Sequence, residues 1–351
     1  MWRTLRRRLR IEVVMKKIVI ISLCSVLVAV IAAEAQQSAG SLFGLLTGQG
    51  LVAAKLERRF GNHLFVPVAI NKRPAALMID TGAPITLIDK NSVGSFALKV
   101  ENTSVNVAGV FGKKWERYGM SKASSIALAN CTLTNVPVAL ADESDMNFDV
   151  GPPETGTSIP RVRRLPHLHG LFGAREMRKF GMLIDCTRQL LYVNPNGASP
   201  ALSEKVAGFL AEHGFTRVPM RLNSTDHFDV PGTLNGHATR FIVDTGASTT
   251  TIDKKTAIQA GIGVAATGFG ENAGDGRIEP LGTATINNLR IGEFEVAKAT
   301  VAIVNVSAAV LHSESESEAN AGLLGAEYLA YNFAVIDVGG MALYLRHADK
   351  R

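Results

Sequence analysis

Two acidic residues stand in the same short motif, one in each half of the sequence, and together they could carry out proton-transfer chemistry. Asp80 follows Met78-Ile79, Asp244 follows Ile242-Val243, and Thr-Gly-Ala comes after both acids. When two carboxyl groups lie close together they cannot both ionise freely, so they titrate as a pair that shares a proton. Such a pair can act as a base toward a water molecule and as an acid toward a second group. The motif therefore predicts acid–base chemistry that needs both halves of the chain.

The sequence around the two acids also repeats, which indicates an internal duplication. An offset of 164 residues carries Asp80 onto Asp244, and no gap is needed on either side. The residues that match at this offset are His63 with His227, Val66-Pro67 with Val230-Pro231, Asn71 with Asn235, Thr86 with Thr250, and Ile88-Asp89 with Ile252-Asp253. A second motif repeats further along, as Gly170-Leu171-Phe172-Gly173-Ala174 and Gly322-Leu323-Leu324-Gly325-Ala326.

Short strands are predicted to position the acids, because short apolar runs alternate with polar turn residues. Each acid lies where a strand gives way to a glycine-containing turn. Asp89 and Asp253 are interpreted as helix N-caps and not as reactive acids. The apolar spacing of Leu51–Phe60 predicts a short helix. The predicted strands are His63–Ile70, Ala75–Asp80, Ser125–Leu128, Val136–Leu140, Ala284–Ile286 and Thr300–Val304, and a further helix is predicted over Ala201–His213. Two hairpins are predicted after the second repeated motif, Met182–Asp185 with Leu190–Val193 and Ala334–Asp337 with Ala342–Leu345.

Two Asp-Thr-Gly motifs in duplicated surroundings, each with a later apolar-apolar-Gly segment, resemble the aspartic proteases. The alanine after each glycine is similar to the retropepsin branch, and the resemblance covers roughly Leu64–Val193 and Phe228–Leu345. It implies an all-β, bilobal acid-protease fold with two pseudo-symmetric, closed, barrel-like lobes and short helices. It also implies that Asp80 and Asp244 are the catalytic pair. The paired acids of this family are a standard example of coupled titration.

The resemblance assigns supporting roles to the residues that follow each acid. These residues are Thr81, Gly82 and Ala83 in the first turn and Thr245, Gly246 and Ala247 in the second. The threonines take the positions from which the family's hydroxyl groups bond across the two lobes. The glycines offer backbone N–H groups that favour the ionised carboxylate. The alanines lack a hydroxyl donor that pepsins carry there, which predicts a pH optimum less acidic than that of pepsins.

Family members fold a β-hairpin, the flap, over the substrate. Trp115, Tyr118 and Gly119 lie where a flap of the first lobe is expected, and Tyr118-Gly119 resembles the Tyr-Gly of pepsin flaps. An ordinary hairpin with an exposed tryptophan explains the same residues, and the sequence departs from the pepsin pattern after Gly119. The glycine-rich segment Gly268–Gly276 is the candidate flap of the second lobe.

The first 35 residues have the features of a secretory signal peptide. Basic residues precede an apolar run from Ile18 to Ala33, and Ala33-Glu34-Ala35 has small residues where a signal peptidase cleaves. A membrane anchor is the alternative, but the run has 16 residues, whereas a spanning helix needs about 20. Met15 is the predicted start, and the predicted location is exported, periplasmic or secreted, with no stable membrane span after cleavage.

Charge and cysteine content restrict the remaining function classes. Residues 1–35 carry seven basic and two acidic side chains, a net +5, so their removal lowers the formal net charge from +6 to +1. That balance gives no electrostatic argument for binding nucleic acid. Cys131 and Cys186 remain after cleavage, and their spacing leaves open whether they form a disulfide or stay as two buried thiols.

The sequence predicts five segments and one function. The segments are a signal peptide at 1–35, a leader with a short helix at 36–61, a first retropepsin-like lobe at 62–197, a linker and helix at 198–214, and a second lobe at 215–351. The predicted function is that of a monomeric aspartic endopeptidase acting on peptide or protein substrates. No cofactor and no metal are predicted, since His167 and His169 have no third ligand at a suitable spacing. A non-catalytic peptide-binding protein on the same fold is the alternative.

Overall fold

The computed structural model describes residues 40–107, 116–141, 168–272, 278–296, 298–306, 311 and 320–348. The chain forms two compact units, Met1–Gly50 and Leu51–Arg351. In the first unit the described element is helix α1 (Leu42–Gly48), where the Ser41 side chain caps the first turn by accepting from the Gly44 N–H. This helix corrects the flexible leader predicted there, since a serine N-cap and an apolar run favour a helix. The predicted signal peptide lies outside the described residues, and none of the described helices is long and apolar enough to cross a membrane.

The second unit begins with eleven strands and two helices. The strands are β1 (Val52–Lys55), β2 (Glu57–Arg58), β3 (Leu64–Ile70), β4 (Arg73–Ile79), β5 (Leu87–Asp89), β6 (Ser104–Val107), β7 (Glu116–Leu128), β8 (Cys131–Ala141), β9 (Gly170–Phe172), β10 (Leu183–Asp185) and β11 (Leu190–Val193). The helices are α2 (Ala174–Lys179) and α3 (Pro200–Glu212), with short 3₁₀ turns at Phe60–Asn62 and Lys90–Ser92. The predicted helix at Ala201–His213 is thus confirmed within one residue, and Ser199 caps it.

The second half has a similar order of elements, with thirteen strands and with a helix in place of the second 3₁₀ turn. The strands are β12 (Thr216–Pro219), β13 (Arg221–Leu222), β14 (Phe228–Leu234), β15 (His237–Val243), β16 (Thr251–Asp253), β17 (Ala265–Asn272), β18 (Ile278–Ile286), β19 (Leu289–Ile291), β20 (Phe294–Val296), β21 (Ala299–Val304), β22 (Asn320–Leu324), β23 (Val335–Asp337) and β24 (Ala342–Leu345). The helices are α4 (Lys254–Gln259) and α5 (Ala326–Tyr331). Asp253 caps α4 and Asp89 caps the turn at Lys90–Ser92, which confirms the capping role predicted for both acids.

The duplication extends further in the backbone than in the residue types. Strands β1 to β5 and β12 to β16 begin and end at the same offset of 164 residues, and α2 with β10 and β11 matches α5 with β23 and β24 at an offset of 152. Left-handed residues repeat too, since Asn71 and Asn235 have φ values of 48° and 49°. The helix predicted over Leu51–Phe60 is wrong, because β1 and β2 occupy it. A short apolar run does not distinguish a strand from a helix by spacing alone.

Each lobe closes into a barrel of six neighbouring strands. In the first lobe the order is β3-β4-β9-β5-β8-β7, and β7 returns to β3 through the pairs Ala69 with Ala127 and Ile70 with Ile126. In the second lobe β19 continues from β18 and pairs with β14 at the equivalent place, Leu234 with Leu289. The predicted all-β, bilobal fold with closed, barrel-like lobes is therefore confirmed.

A six-stranded antiparallel sheet joins the two lobes. Its order is β1-β11-β10-β23-β24-β12, so each half of the chain supplies three strands. At the centre Ile184 pairs with Ile336, which are equivalent residues, and the pseudo-two-fold axis passes between them. Both side chains are fully buried, as are most apolar residues of the sheet. The lobes are thus held together by backbone hydrogen bonds and one continuous apolar core.

Candidate active site

The two acids occupy equivalent positions, each directly after the strand that leads to it. Asp80 follows β4 and Asp244 follows β15, and both are buried, with 8% and 4% of their surface exposed. Each backbone N–H is fixed by the threaded segment of its own lobe, since Asp80 donates to the Phe172 carbonyl and Asp244 to the Leu324 carbonyl, both at 3.1 Å. Both halves therefore deliver one carboxyl group to the same junction.

The turn after each acid holds one carboxylate oxygen with two backbone donors. The Gly82 and Ala83 N–H groups donate to Asp80 Oδ1 at 2.9 and 3.1 Å. The equivalent donors of the second lobe, Gly246 and Ala247, reach Asp244 Oδ1 at 2.8 and 3.0 Å. These four hydrogen bonds fix the orientation of both carboxyl groups and leave the second oxygen of each free of the turn.

The two carboxyl groups face one another across the glycines. A Cβ added at Gly82 would overlap the carboxyl group of Asp244, and one added at Gly246 would overlap that of Asp80. Each acid therefore lies directly over the opposite loop, at a position that only a residue without a side chain permits. This reciprocal approach brings together the two acids that the sequence predicted as a pair.

Thr81 and Thr245 lock the two loops to each other. The Thr81 N–H donates to Thr245 Oγ1 at 3.1 Å, and the Thr245 N–H donates to Thr81 Oγ1 at 3.0 Å. The hydroxyls in turn donate across the junction, Thr81 to the Val243 carbonyl and Thr245 to the Ile79 carbonyl, both at 2.7 Å. The threonines thus make the cross-lobe bonds that the resemblance implied.

The repeated apolar-apolar-Gly segments lie between the two strands that flank each acid. Strand β9 runs parallel to β4 and antiparallel to β5, and β22 does the same with β15 and β16. The segments end at Gly173 and Gly325, whose N–H groups donate to Thr86 Oγ1 and Thr250 Oγ1, each at 3.1 Å. An added Cβ at either glycine would overlap the backbone just after the acid's turn, at Ile85-Thr86 or at Thr249-Thr250. The close packing explains why glycine stands in both places.

Two glutamates that the sequence analysis did not select support these loops. Glu176, which is buried, accepts the Thr86 N–H at 3.1 Å and its hydroxyl at 2.8 Å. Glu327 accepts the Thr250 N–H at 2.6 Å. In the sequence, a glutamate follows each Gly-Ala pair within two residues. The two glutamates are not at equivalent positions of the repeat, so the sequence comparison does not reveal their common role.

Burial raises the pKa of both acids. The pKa of Asp80 lies well above its usual range, because the site is desolvated and because the charge of Asp244 is adjacent. Desolvation also raises the pKa of Asp244, against the effect of the Gly246 and Ala247 N–H groups. Since the two carboxyls are in hydrogen-bond contact, they titrate as a pair that retains one proton where separate carboxyls would have lost both.

Of the candidate flap residues of the first lobe, the structure describes Tyr118 and Gly119. Tyr118 and Gly119 lie on β7 and pair with Val105 and Ser104 of β6, so they belong to a hairpin. Tyr118 packs, half-buried, on an apolar cluster that contains Ala83 of the turn after Asp80. Trp115 lies outside the described residues. In the second lobe β17 and β18 form the equivalent hairpin.

The remaining candidates for metal binding and for a disulfide are two histidines and two cysteines. Among the described residues no cluster of three metal-binding side chains occurs. His167 lies outside the described residues, and His169 is half-buried and accepts the Ala76 N–H at 3.2 Å. Cys131 and Cys186 are buried free thiols.

Comparison with known proteins gives a family match and similarities to many solved structures. The family model for aspartyl proteases matches residues 66–157 and 230–328, which together are more than half of the chain. A retropepsin-like aspartic protease from Rickettsia conorii is 17% identical with a TM-score of 0.28, covering 41% of this chain and 90% of its own. The Basic 7S globulin from soybean is 12% identical with a TM-score of 0.43, covering 85% of this chain and 95% of its own. At these scores neither structure informs the chemistry of this chain, and no curated protein matches it.

Proposed function

Since the chain belongs to the aspartyl protease family, we propose that it is an aspartic endopeptidase in which Asp80 and Asp244 together activate a water molecule. The observation that carries this proposal is the reciprocal approach of two buried carboxyl groups, each lying over the glycine of the opposite loop. A purely structural pair of acids would gain nothing from being buried face to face, because their mutual repulsion and desolvation both cost free energy.

The reaction follows from one proton shared by two carboxyl groups. The ionised carboxylate takes a proton from water while the oxygen attacks the peptide carbonyl carbon, and the protonated carboxyl gives its proton to the carbonyl oxygen. The C–N bond of the tetrahedral diol then breaks as one carboxyl gives its proton to the leaving nitrogen, while the other carboxylate takes a proton from a diol hydroxyl, which becomes the new carboxyl C=O. The dyad ends with the single proton it held at the start, and no covalent intermediate is required.

Apolar side chains beside each acid suit a peptide substrate. In the first lobe the cluster includes Phe65, Leu87 and Leu171, with Ile85 and Tyr118 half-buried at its edge. In the second lobe it is built from Ile242, Val304, Val306 and Leu323, with Ala247 and Leu281 at its edge. Half-buried apolar residues next to a reactive pair favour substrates with apolar side chains near the cleaved bond.

The test is cleavage of an unstructured protein by the purified chain, with and without the aspartic-protease inhibitor pepstatin. We expect fragments whose formation pepstatin blocks. Asp253→Asn serves as the matched control, because Asp253 caps α4 and asparagine caps helices equally well. Binding of the same protein without cleavage would support the alternative, a peptide-binding protein on this fold.

We also propose that the enzyme is exported. The support is the order of a basic segment, an apolar run and a small-residue site within residues 1–35. Expression in a bacterial host, followed by fractionation and N-terminal sequencing, should give a periplasmic or secreted protein that begins at Gln36. Recovery of the uncleaved chain in the membrane fraction would favour the anchor instead.

A further inference from the structure

A turn of the same shape precedes the strand pair that leads to each acid, and it ends in a histidine. In the first lobe the Arg59 N–H donates to the His63 carbonyl at 3.0 Å, and in the second the Asn223 N–H donates to the His227 carbonyl at 2.9 Å. The residues before the histidines, at positions 62 and 226, are left-handed with φ values of 63° and 61°. The two imidazoles therefore leave the backbone from equivalent points of the two lobes.

Each imidazole crosses to the catalytic loop of the opposite lobe. The His63 ring donates a hydrogen bond to the backbone carbonyl of Thr245. The His227 ring donates one to the backbone carbonyl of Gly82, and its residue is only 9% exposed. Both contacts join the beginning of one lobe to the reactive turn of the other.

The peptide units that accept these bonds are the ones that hold the acids. The peptide between Gly82 and Ala83 accepts from His227 through its carbonyl and donates to Asp80 through its N–H at 3.1 Å. The peptide between Thr245 and Gly246 accepts from His63 and donates to Asp244 at 2.8 Å. Each histidine is thus one hydrogen-bonded peptide away from an acid, and such chains polarise one another.

We propose that His63 and His227 are positioning residues that fix the two acids against each other, each by orienting and polarising the peptide unit that bonds the acid of the opposite lobe. The inference rests on the proposed endopeptidase function for its kinetic consequence, but the hydrogen-bonded bridges themselves do not depend on it. This role explains why a histidine is repeated at equivalent positions of the two lobes, outside the Asp-Thr-Gly motifs.

The neutral imidazole fits these bridges. His227 Nδ1 lies 2.8 Å from Thr225 Oγ1, so the hydroxyl can donate to it while the other ring nitrogen donates to Gly82. Desolvation lowers the pKa of His227 to about 4, although the nearby Asp226 opposes the shift. Desolvation also lowers the pKa of His63. His227 therefore stays neutral through the weakly acidic range, and the pKa of His63 is shifted in the same direction.

Protonation would disturb the bridge and the pair together. A protonated His227 can no longer accept from Thr225, and its charge would lie one peptide from the dyad. Around the first ring the charged groups include Glu57, Arg58 and Arg59, with Glu327 on α5, which packs against residues 60–62. Around the second they include Arg221, Asp226 and Asp229, and the two acids lie near both rings. Activity should accordingly fall on the acid side as the imidazoles take up protons.

The kinetic test compares two substitutions at each histidine. His63→Leu and His227→Leu each remove the hydrogen-bond donor. We expect kcat to fall about 100-fold and KM to change less than about threefold, because a misplaced dyad binds substrate but reacts slowly. Glutamine keeps a donor, so His63→Gln and His227→Gln should recover most of kcat. At pH 4 the His227→Gln enzyme should keep about twice the parent's share of its own optimal activity, because glutamine does not titrate. His237→Leu, at an exposed position of the same lobe, is the control.

The imidazole ¹⁵N resonances of the parent protein test the bridges without any cleavage assay. We expect His227 to be a neutral tautomer that titrates near its lowered pKa of about 4. The His63 ring should also titrate below the ordinary value. Titration of either ring like an exposed histidine, or leucine variants with the parent's kcat, would overturn the inference. An inactive parent with these resonances intact would instead contradict the proposed function and leave the bridges standing.

Discussion

The two lobes agree in the groups that touch the acids and differ in the groups behind them. Both offer two backbone donors to one carboxylate oxygen, a threonine that bonds across the junction, and a threaded glycine beneath the loop. In the first lobe the buried Glu176 binds both the N–H and the hydroxyl of Thr86. In the second the half-buried Glu327 binds only the N–H of Thr250.

The difference shows where the duplication is constrained. A carboxyl pair works as a unit only when both members are held alike, so the groups in contact with the acids stay symmetric. The layer behind needs only to satisfy a buried threonine, and a carboxylate from either of two neighbouring helix positions can do so. The first lobe is also more enclosed at its turn, since Ala83 is buried whereas Ala247 is half-buried.

The largest effect on kcat that would compare the two lobes is expected at the equivalent glycines, Gly82 and Gly246. Gly82→Ala and Gly246→Ala each place a methyl group where the opposite carboxyl lies. We expect both to lower kcat by at least about 1000-fold, and to similar extents, because each displaces the partner of its own acid. Gly263→Ala, where an added Cβ meets nothing, should leave kcat unchanged. A tenfold difference between the two dyad glycines would show that the loops are not equivalent.

A second effect concerns stability toward acid, and it should arise in the second lobe. The folded-state pKa of His227 is lowered to about 4. Between that pH and the ordinary pKa of histidine, the unfolded chain binds more protons than the folded chain, so stability decreases as the pH is lowered. The loss is about 3 kcal/mol in the free energy of unfolding at most. The pair acts oppositely, because raised carboxyl pKa values favour the folded state at low pH and lose that advantage as pH rises.

Urea unfolding of the parent and of His227→Gln between pH 7 and 4 measures this effect. We expect the parent to lose more stability over that interval than the variant, since glutamine takes up no proton. His63→Gln should show a smaller change, because His63 is less buried than His227. Identical pH dependence in parent and His227→Gln would remove His227 from the list of groups that limit acid stability.

Much of this arrangement could be predicted from residue types, and the rest could not for physical reasons. The acids, the threonines and the glycines of the threaded segments have the same residue type in both halves, because their contacts require a particular side chain or, for glycine, the absence of one. The first strand of each half, Val52–Lys55 and Thr216–Pro219, repeats only in its backbone pairing, so no letter match reveals it. The sequence therefore predicts the two hairpins of the shared sheet but neither its outer strands nor the pairing between the hairpins. Before residue 60 it predicts a helix where the structure has strands.

A third prediction uses the two supporting glutamates. Glu176→Ala leaves the N–H and the hydroxyl of a fully buried threonine without their acceptor, and we expect a loss of about 3 kcal/mol in the free energy of unfolding. Glu327→Ala leaves one N–H without its acceptor and should cost about 1 kcal/mol. Urea unfolding at neutral pH is the measurement. Equal losses would mean that the support behind the loops is as symmetric as the loops themselves.

The smallest effect is expected from restoring a hydroxyl beside each acid. Ala83→Ser and Ala247→Ser add a donor next to a carboxylate, which favours its ionised form and lowers the pKa of the pair. The pH profile of kcat/KM should move to lower pH by about half a unit, and more for Ala83→Ser, because its position is the more buried and less screened by water. Profiles that superimpose on the parent would separate these alanines from the pH optimum.

One measurement tests the shared-proton pair most directly: cleavage of an unstructured protein by Asp80→Asn and by Asp244→Asn, with folding checked by circular dichroism. Each substitution keeps the size of the side chain and the acceptor of the turn's N–H groups, but removes the second carboxyl group. We expect both single variants to fold like the parent and to lose all pepstatin-sensitive cleavage, while Asp253→Asn retains it. Near-parental cleavage by either Asp80→Asn or Asp244→Asn would show that one acid suffices and would contradict the shared-proton mechanism.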